Sequence, residues 1–253
     1  MSRKKIDWLQ YYANPHNFMN LAQRVHLPLW GLAILALAYG LFLSFNAPAD
    51  YQQGSSVRIM FIHVPAAWLS LFTYSFIAGA SLIALIFRHP LGHVAARAAA
   101  PIGAIFTLAT LITGSLWGQP IWGTWWVWDA RLTSVLVLFF LYLGYMAIWR
   151  AIESPDQAAK MAAILALVGS VNVPIVKFSV DWWNTLHQPA TFKITGKATM
   201  AMEMWLPLLI MIIGFYCFFA TVLLLRMRLE VLRRESRASW VKTEIHRMLE
   251  KSH

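Results

Sequence analysis

The chain has 253 residues, of which 59% are hydrophobic and 13% charged, and its formal net charge is +10. Soluble domains carry about 25% charged residues, so this composition and a mean hydropathy of +0.56 exclude a water-soluble domain and indicate an all-α integral membrane protein. The positive charge does not indicate a nucleic-acid partner, because the basic residues lie in short segments flanking apolar runs, as topology signals do.

Six apolar segments follow one another, at about residues 27–45, 65–87, 98–116, 132–149, 161–178 and 205–225. Each can cross the ~30 Å hydrocarbon layer as a helix, the form that satisfies backbone polar groups in lipid. Residues 1–253 thus read as one six-span membrane domain, without internal repeats. The first span ends at Ala47-Pro48-Ala49, a match to a signal-peptidase site. Its apolar run exceeds the ~7–15 residues usual in a signal peptide, so it reads as an uncleaved span. The second opens on "FIHVPAAW", with Pro65 expected in the first helical turn and His63 at the mouth of the span. A Trp-rich loop, residues 117–131, joins the third and fourth spans and holds Trp117, Trp122, Trp125, Trp126 and Trp128 beside Asp129 and Arg131. Asn172 and Pro174 mark a kink in the fifth span. Cys217, the one cysteine, sits in the sixth apolar run as a small hydrophobe. The basic tail, residues 226–253, alternates apolar and charged residues like a solvated surface helix.

Charge then sorts the loops by side. Most of the 21 Lys and Arg residues fall in the N-terminal segment, the second-to-third and fourth-to-fifth loops, and the C-terminal tail; Arg58, Arg131, Lys177, Lys193 and Lys197 fall on the other side. The positive-inside rule puts both termini in the cytoplasm and the Trp-rich loop on the outer face of the membrane. Of eight histidines, only His63 and His187 ("WWNTLHQPA") then lie outside. Each of these features has an ordinary explanation: a hydrogen-bonded structural histidine, a tryptophan belt at the headgroups, a surface ion pair between Asp129 and Arg131. Belt residues, however, spread over many span ends, and five tryptophans in one loop exceed what anchoring requires.

Two imidazoles can hold one metal from opposite sides, leaving in-plane positions for which the outer face offers few strong ligands. A porphyrin supplies these itself, and haem iron accepts axial histidines. Trp faces would cover its ring, and Arg131 or Arg58 would pair with its propionates. Arg58 serves equally as an interfacial anchor. Zinc, with Asp129 as a third ligand, is the competing metal. The chain lacks the C-x-x-C-H of covalent haem attachment and any P-loop.

"WGTWWVWDARLTS" (122–134) resembles the tryptophan-rich WWD motif of the haem-handling superfamily of cytochrome c biogenesis. Within it the chain is similar to the cytochrome c maturation protein C, or haem exporter protein C, family. "APADYQQG" (47–54), "HVPAAW" (63–68), "APIGAIFT" (100–107), "TGSLWGQP" (113–120) and "WWNTLHQ" (182–188) match as well, so the resemblance spans about residues 46–226. It implies six spans and a periplasmic site for non-covalent haem b. His63 and His187 correspond to the family's axial ligands, and Trp122, Trp125, Trp126, Trp128 and Asp129 to its haem platform. The partners implied are a periplasmic haem chaperone, the ATPase and membrane subunits of an ABC transporter, and a small single-span subunit. The expected function is to ligate haem at the periplasmic face and deliver it to the chaperone. No self-contained ATPase or hydrolase chemistry is indicated, and no residue need act as a catalytic acid or base. The alternative is a transporter that moves haem or another solute through its own bundle.

Overall fold

The computed structural model describes residues 13–183, 185–187 and 200–243. The basic residues Arg3, Lys4, Lys5, Lys193 and Lys197, and the tail beyond Thr243, lie outside them. The described elements are α1 (Pro15–Asn46), a 3-10 turn (Ser55–Ile59), α2 (Met60–Phe87), α3 (Pro90–Trp122), α4 (Ala130–Ala151), α5 (Pro155–Gly169), α6 (Asn172–Trp182) and α7 (Met202–Arg234). Among the described residues they make six helices long and apolar enough to cross a membrane, with α5 and α6 counting as one.

The helix starts follow from local sequence. Asn14, His89, Asp129 and Ser154 each accept a backbone N–H of the first turn, and Pro15, Pro90 and Pro155 occupy positions whose missing N–H leaves no bond unmade. The end of α3 is set by Gly123, whose φ of 73° is open to glycine, and whose N–H donates to Gln119 O at 2.9 Å.

α1 and α3 begin at Pro15 and Pro90, well before the spans expected from residues 27 and 98, and three boundaries nearer the site or the tail also differ from the sequence expectation. Pro65 does not open α2: the 3-10 turn feeds straight into the helix, so His63 and Val64 are helical. The third span runs through Pro120 to Trp122, so Trp117 and Trp122 stand on a helix and the connecting loop shrinks to residues 123–129. The sixth runs to Arg234, and beyond it the chain folds back: Val241 is buried, Trp240 meets His16 edge-on at 5.7 Å, and its Nε1 donates to Glu235 at 2.8 Å. That part of the tail is packed, not merely solvated. The kink in the fifth span is present. The helix breaks at Ser170–Val171, and Asn172 Nδ2 donates to Ser134 O of α4 at 2.9 Å.

The most extensive packing joins α2 to α3 and α1 to α7. Alanines at 95, 96, 98, 99 and 100 give α3 a smooth buried face that lets neighbouring backbones approach. The middle of the bundle is filled by Tyr74 and Tyr142, edge-to-face at 5.1 Å, with Tyr142 donating to Ser70 O at 2.7 Å. Gly103 leaves the space that the Tyr142 ring occupies, and Gly169 does the same for Tyr74. Large apolar side chains such as Leu35, Phe45, Ile105 and Val168 face outward, each about two-thirds exposed or more, the inverse of a soluble protein and the arrangement lipid favours. At the end of the bundle opposite Gly123, Glu230 of α7 binds Arg97 of α3 at 2.8 Å and Arg234 at 2.9 Å. Arg97 lies over the Trp149 ring of α4 at 4.5 Å, which ties three spans together.

Candidate functional site

The other end of the bundle gathers the start of α2, the end of α3, the turn 123–129, the start of α4 and the end of α6. His63 sits in the first turns of α2 and packs on the last turns of α3. Its Nδ1 lies 3.0 Å from Thr113 Oγ1, and its ring meets Trp117 edge-on at 5.6 Å. Gly114 is what allows this closeness, since a Cβ there would stand 3.1 Å from His63 Cε1. Thr113 and Trp117 are four residues apart and share one helix face. Trp117 is held in turn by its Nε1, which donates to Gln53 Oε1 at 2.9 Å.

His187 arrives on the short segment after α6. Its ring packs against Trp122 at 5.0 Å, and its Nδ1 lies 3.9 Å from Asp129 Oδ2. Burial pulls its imidazolium pKa down to about 4, with Arg131 adding to the fall and Asp129 opposing it. The ring is therefore neutral at physiological pH, so the Asp129 contact orients it without forming a full ion pair.

Asp129 has three tasks. Oδ1 accepts from Leu132 N at 2.7 Å and caps α4; Oδ2 accepts the Thr185 hydroxyl and faces His187. Thr185 Oγ1 also accepts from the His187 backbone N–H at 3.1 Å. The surface ion pair expected between Asp129 and Arg131 does not form. The carboxylate turns to its own helix start and the α6 side, and Arg131 Nε donates to Ser179 Oγ of α6 at 2.8 Å. Arg131 nonetheless stays near enough to His187 to help lower its pKa. Arg58 directs Nε and Nη2 to Ala47 O, at 3.2 and 2.8 Å, pinning the end of α1 to the 3-10 turn.

The tryptophans divide into two groups. Trp117 and Trp122 are partly buried against the histidines, whereas Trp125 and Trp128 are 58% and 75% exposed. Trp126 packs edge-on with Trp128 at 5.4 Å. Its Nε1, like His187 Nδ1, is buried without a hydrogen-bond partner among the described residues. Among those residues no three His, Cys, Asp or Glu side chains group to hold a bare ion, which removes the expected basis for zinc. Two imidazoles, a half-buried cation and exposed aromatic faces suit a flat metal-bearing ring that brings its own equatorial ligands. Sequence reasoning missed Thr113, Gly114, Ser179 and Thr185. Thr113 and Gly114 open the "TGSLWGQP" stretch, where the four-residue step from Thr113 to Trp117 was the available signal.

A family model described as Heme exporter protein C matches residues 8–242. The Heme exporter protein C of Bradyrhizobium diazoefficiens is 56% identical over 226 residues, covering 89% of this chain and 86% of that protein. Its counterpart in Haemophilus influenzae is 44% identical over 238 residues, covering 93% and 96%. That of Escherichia coli K12 is 49% identical over 210 residues, covering 83% and 84%.

Proposed function

The chain belongs to the Heme exporter protein C family, and from that premise we propose that it is the haem-handling membrane subunit of a cytochrome c maturation system. In this reading it ligates non-covalent haem b at the periplasmic face of the bacterial inner membrane and presents it to a periplasmic haem chaperone. It works beside the ATPase and membrane subunits of an ABC transporter and a small single-span subunit. The carrying observation is that His63 and His187, distant in sequence, pack at one end of the bundle on the last turns of the same helix, His63 against Trp117 and His187 against Trp122 of α3.

Each residue then has a physical task. His63 and His187 would hold the haem iron, each through one ring nitrogen. Trp122, Trp125, Trp126 and Trp128 offer apolar faces to the ring, and Trp117 backs His63. Arg131 pairs with a propionate, and Arg58 adds a second positive charge at this end. Asp129 holds His187 and the start of α4 together. None of them need act as a general acid or base; the roles are binding, shielding and presentation. Conduction of haem through the bundle is disfavoured by Tyr74 and Tyr142, which fill its middle.

The test combines sidedness and delivery. Reporter fusions after Gly54 and Gly123 are expected to read periplasmic, and those after Gly92, Pro155 and Arg237 cytoplasmic. In cells making the whole system, His187→Ala is expected to abolish covalent haem on the chaperone while the subunit still accumulates. A cytoplasmic signal at Gly123, or normal chaperone loading by His187→Ala, contradicts the reading.

A further inference from the structure

We propose that Thr113 is the positioning residue for His63, fixing which ring nitrogen carries the proton before any ligand arrives. This rests on the haem-ligand reading above and adds a residue to it.

The argument is a count of one hydrogen. A threonine hydroxyl has one proton to give and two lone pairs. Thr113 Oγ1 lies 2.6 Å from Ala109 O and 3.4 Å from Thr110 O. Both neighbours are carbonyls of its own helix, which can only accept, so the proton goes to them. Toward His63 Nδ1, 3.0 Å away, the hydroxyl has only a lone pair to offer. Nδ1 must then carry the N–H, and a neutral imidazole so protonated holds its lone pair at Nε2. The ring is kept in that pose by its other neighbours, with Gly114 beside Cε1 and the Trp117 edge alongside. Donating the second ring N–H to a fixed partner is how metal-binding histidines are commonly oriented.

The ordinary role of such a threonine is to satisfy itself on the carbonyl four residues back. Thr107, Thr110 and Thr221 do this, bonding Gly103 O, Phe106 O and Cys217 O. Thr113 alone among these four brings its hydroxyl to a histidine ring nitrogen, and the backbone of Thr110 also bonds the His63 ring. If self-satisfaction were its whole role, valine would replace it without consequence. If it positions His63, valine removes the side-chain acceptor and leaves the Thr110 carbonyl alone, and serine restores it.

The experiment compares wild type, Thr113→Val, Thr113→Ser and His63→Ala as full-length protein in nanodiscs; Thr113→Ala stands in should valine lower folded yield. The first readout is nitrogen NMR of haem-free, histidine-labelled protein, assigned by the signal lost in His63→Ala. Wild type and Thr113→Ser are expected to show His63 as a single Nδ1–H tautomer, and Thr113→Val a mixture. The second readout is the absorption and electron paramagnetic resonance of added haem. Thr113→Val is expected to bind about tenfold more weakly and to shift from six-coordinate low spin toward five-coordinate, with added imidazole reversing the shift. A Thr113→Val protein with the wild-type tautomer and spectrum overturns the proposal. If His63→Ala itself leaves the haem spectrum unchanged, the ligand reading falls, while the tautomer result still decides the hydrogen-bond claim.

Discussion

The two histidines of the site are held by different kinds of structure. His63 stands on a membrane helix and is gripped by another, through Thr113, Gly114 and Trp117 of α3. His187 stands on a short segment after the end of α6, and what holds it comes from the connecting turn and its surroundings: Trp122, Asp129 and Thr185. The first half is built by the same α2–α3 packing that builds the bundle. The second depends on a few polar contacts, and segments of that kind open at lower free energy than packed helices. If the two histidines ligate one haem as proposed, His63 would be the fixed ligand and His187 the one more easily released.

Substitution at Asp129 breaks the second half most severely. Asp129→Ala removes the α4 cap, worth about 1 kcal/mol, together with the Thr185 and His187 contacts. Haem per folded protein is expected to fall by about 10–100-fold, the usual range when a metal ligand loses its orienting partner. Asp129→Asn retains the cap and is expected to recover part of the loss. Full haem occupancy in Asp129→Ala would make the two halves equivalent and remove the distinction.

The exposed tryptophans sharpen it. Trp125 and Trp128 make few contacts with the rest of the chain, so their loss leaves the fold intact. Deleting one removes ring contact of about 1–3 kcal/mol from bound haem, or roughly a five- to hundredfold loss of affinity. Isothermal titration of haem into each alanine variant, beside its thermal midpoint, separates this from an anchoring belt. Belt tryptophans would change the midpoint and leave the affinity alone.

Trp240, at the far end, gives the smallest effect on the site. Because it packs on His16 and bonds Glu235, Trp240→Ala is expected to lower the thermal midpoint by a few degrees and leave haem affinity unchanged. A loss of haem without a loss of stability would mean that the two ends of the bundle communicate.

The spans were legible in the sequence because lipid imposes a composition on every residue that crosses it. The meeting of His63, His187 and the Trp cluster at one end of the bundle was legible because hydropathy and charge sort loops by side. Helix ends were not. Pro120 forfeits only its own bond to the carbonyl four residues back, and Gly123 rather than the proline stops the helix. Pro65 is absorbed because the 3-10 turn has already started the chain winding. The partnership of Asp129 with His187 in place of Arg131 is a contact across 58 positions, and periodicity carries no information about it. Thr113 looked like any hydroxyl in a membrane helix until the helix that carries His63 was packed against it.

The most direct measurement is the low-temperature electron paramagnetic resonance and absorption spectrum of the full-length protein purified from haem-replete cells, with His63→Ala and His187→Ala made alongside. Two-histidine ligation predicts a six-coordinate low-spin signal in the wild type. It also predicts a high-spin signal in each single variant, partly reversed by imidazole, and little bound haem when both histidines are removed. A wild-type spectrum in both single variants, or full haem in the double variant, would contradict it.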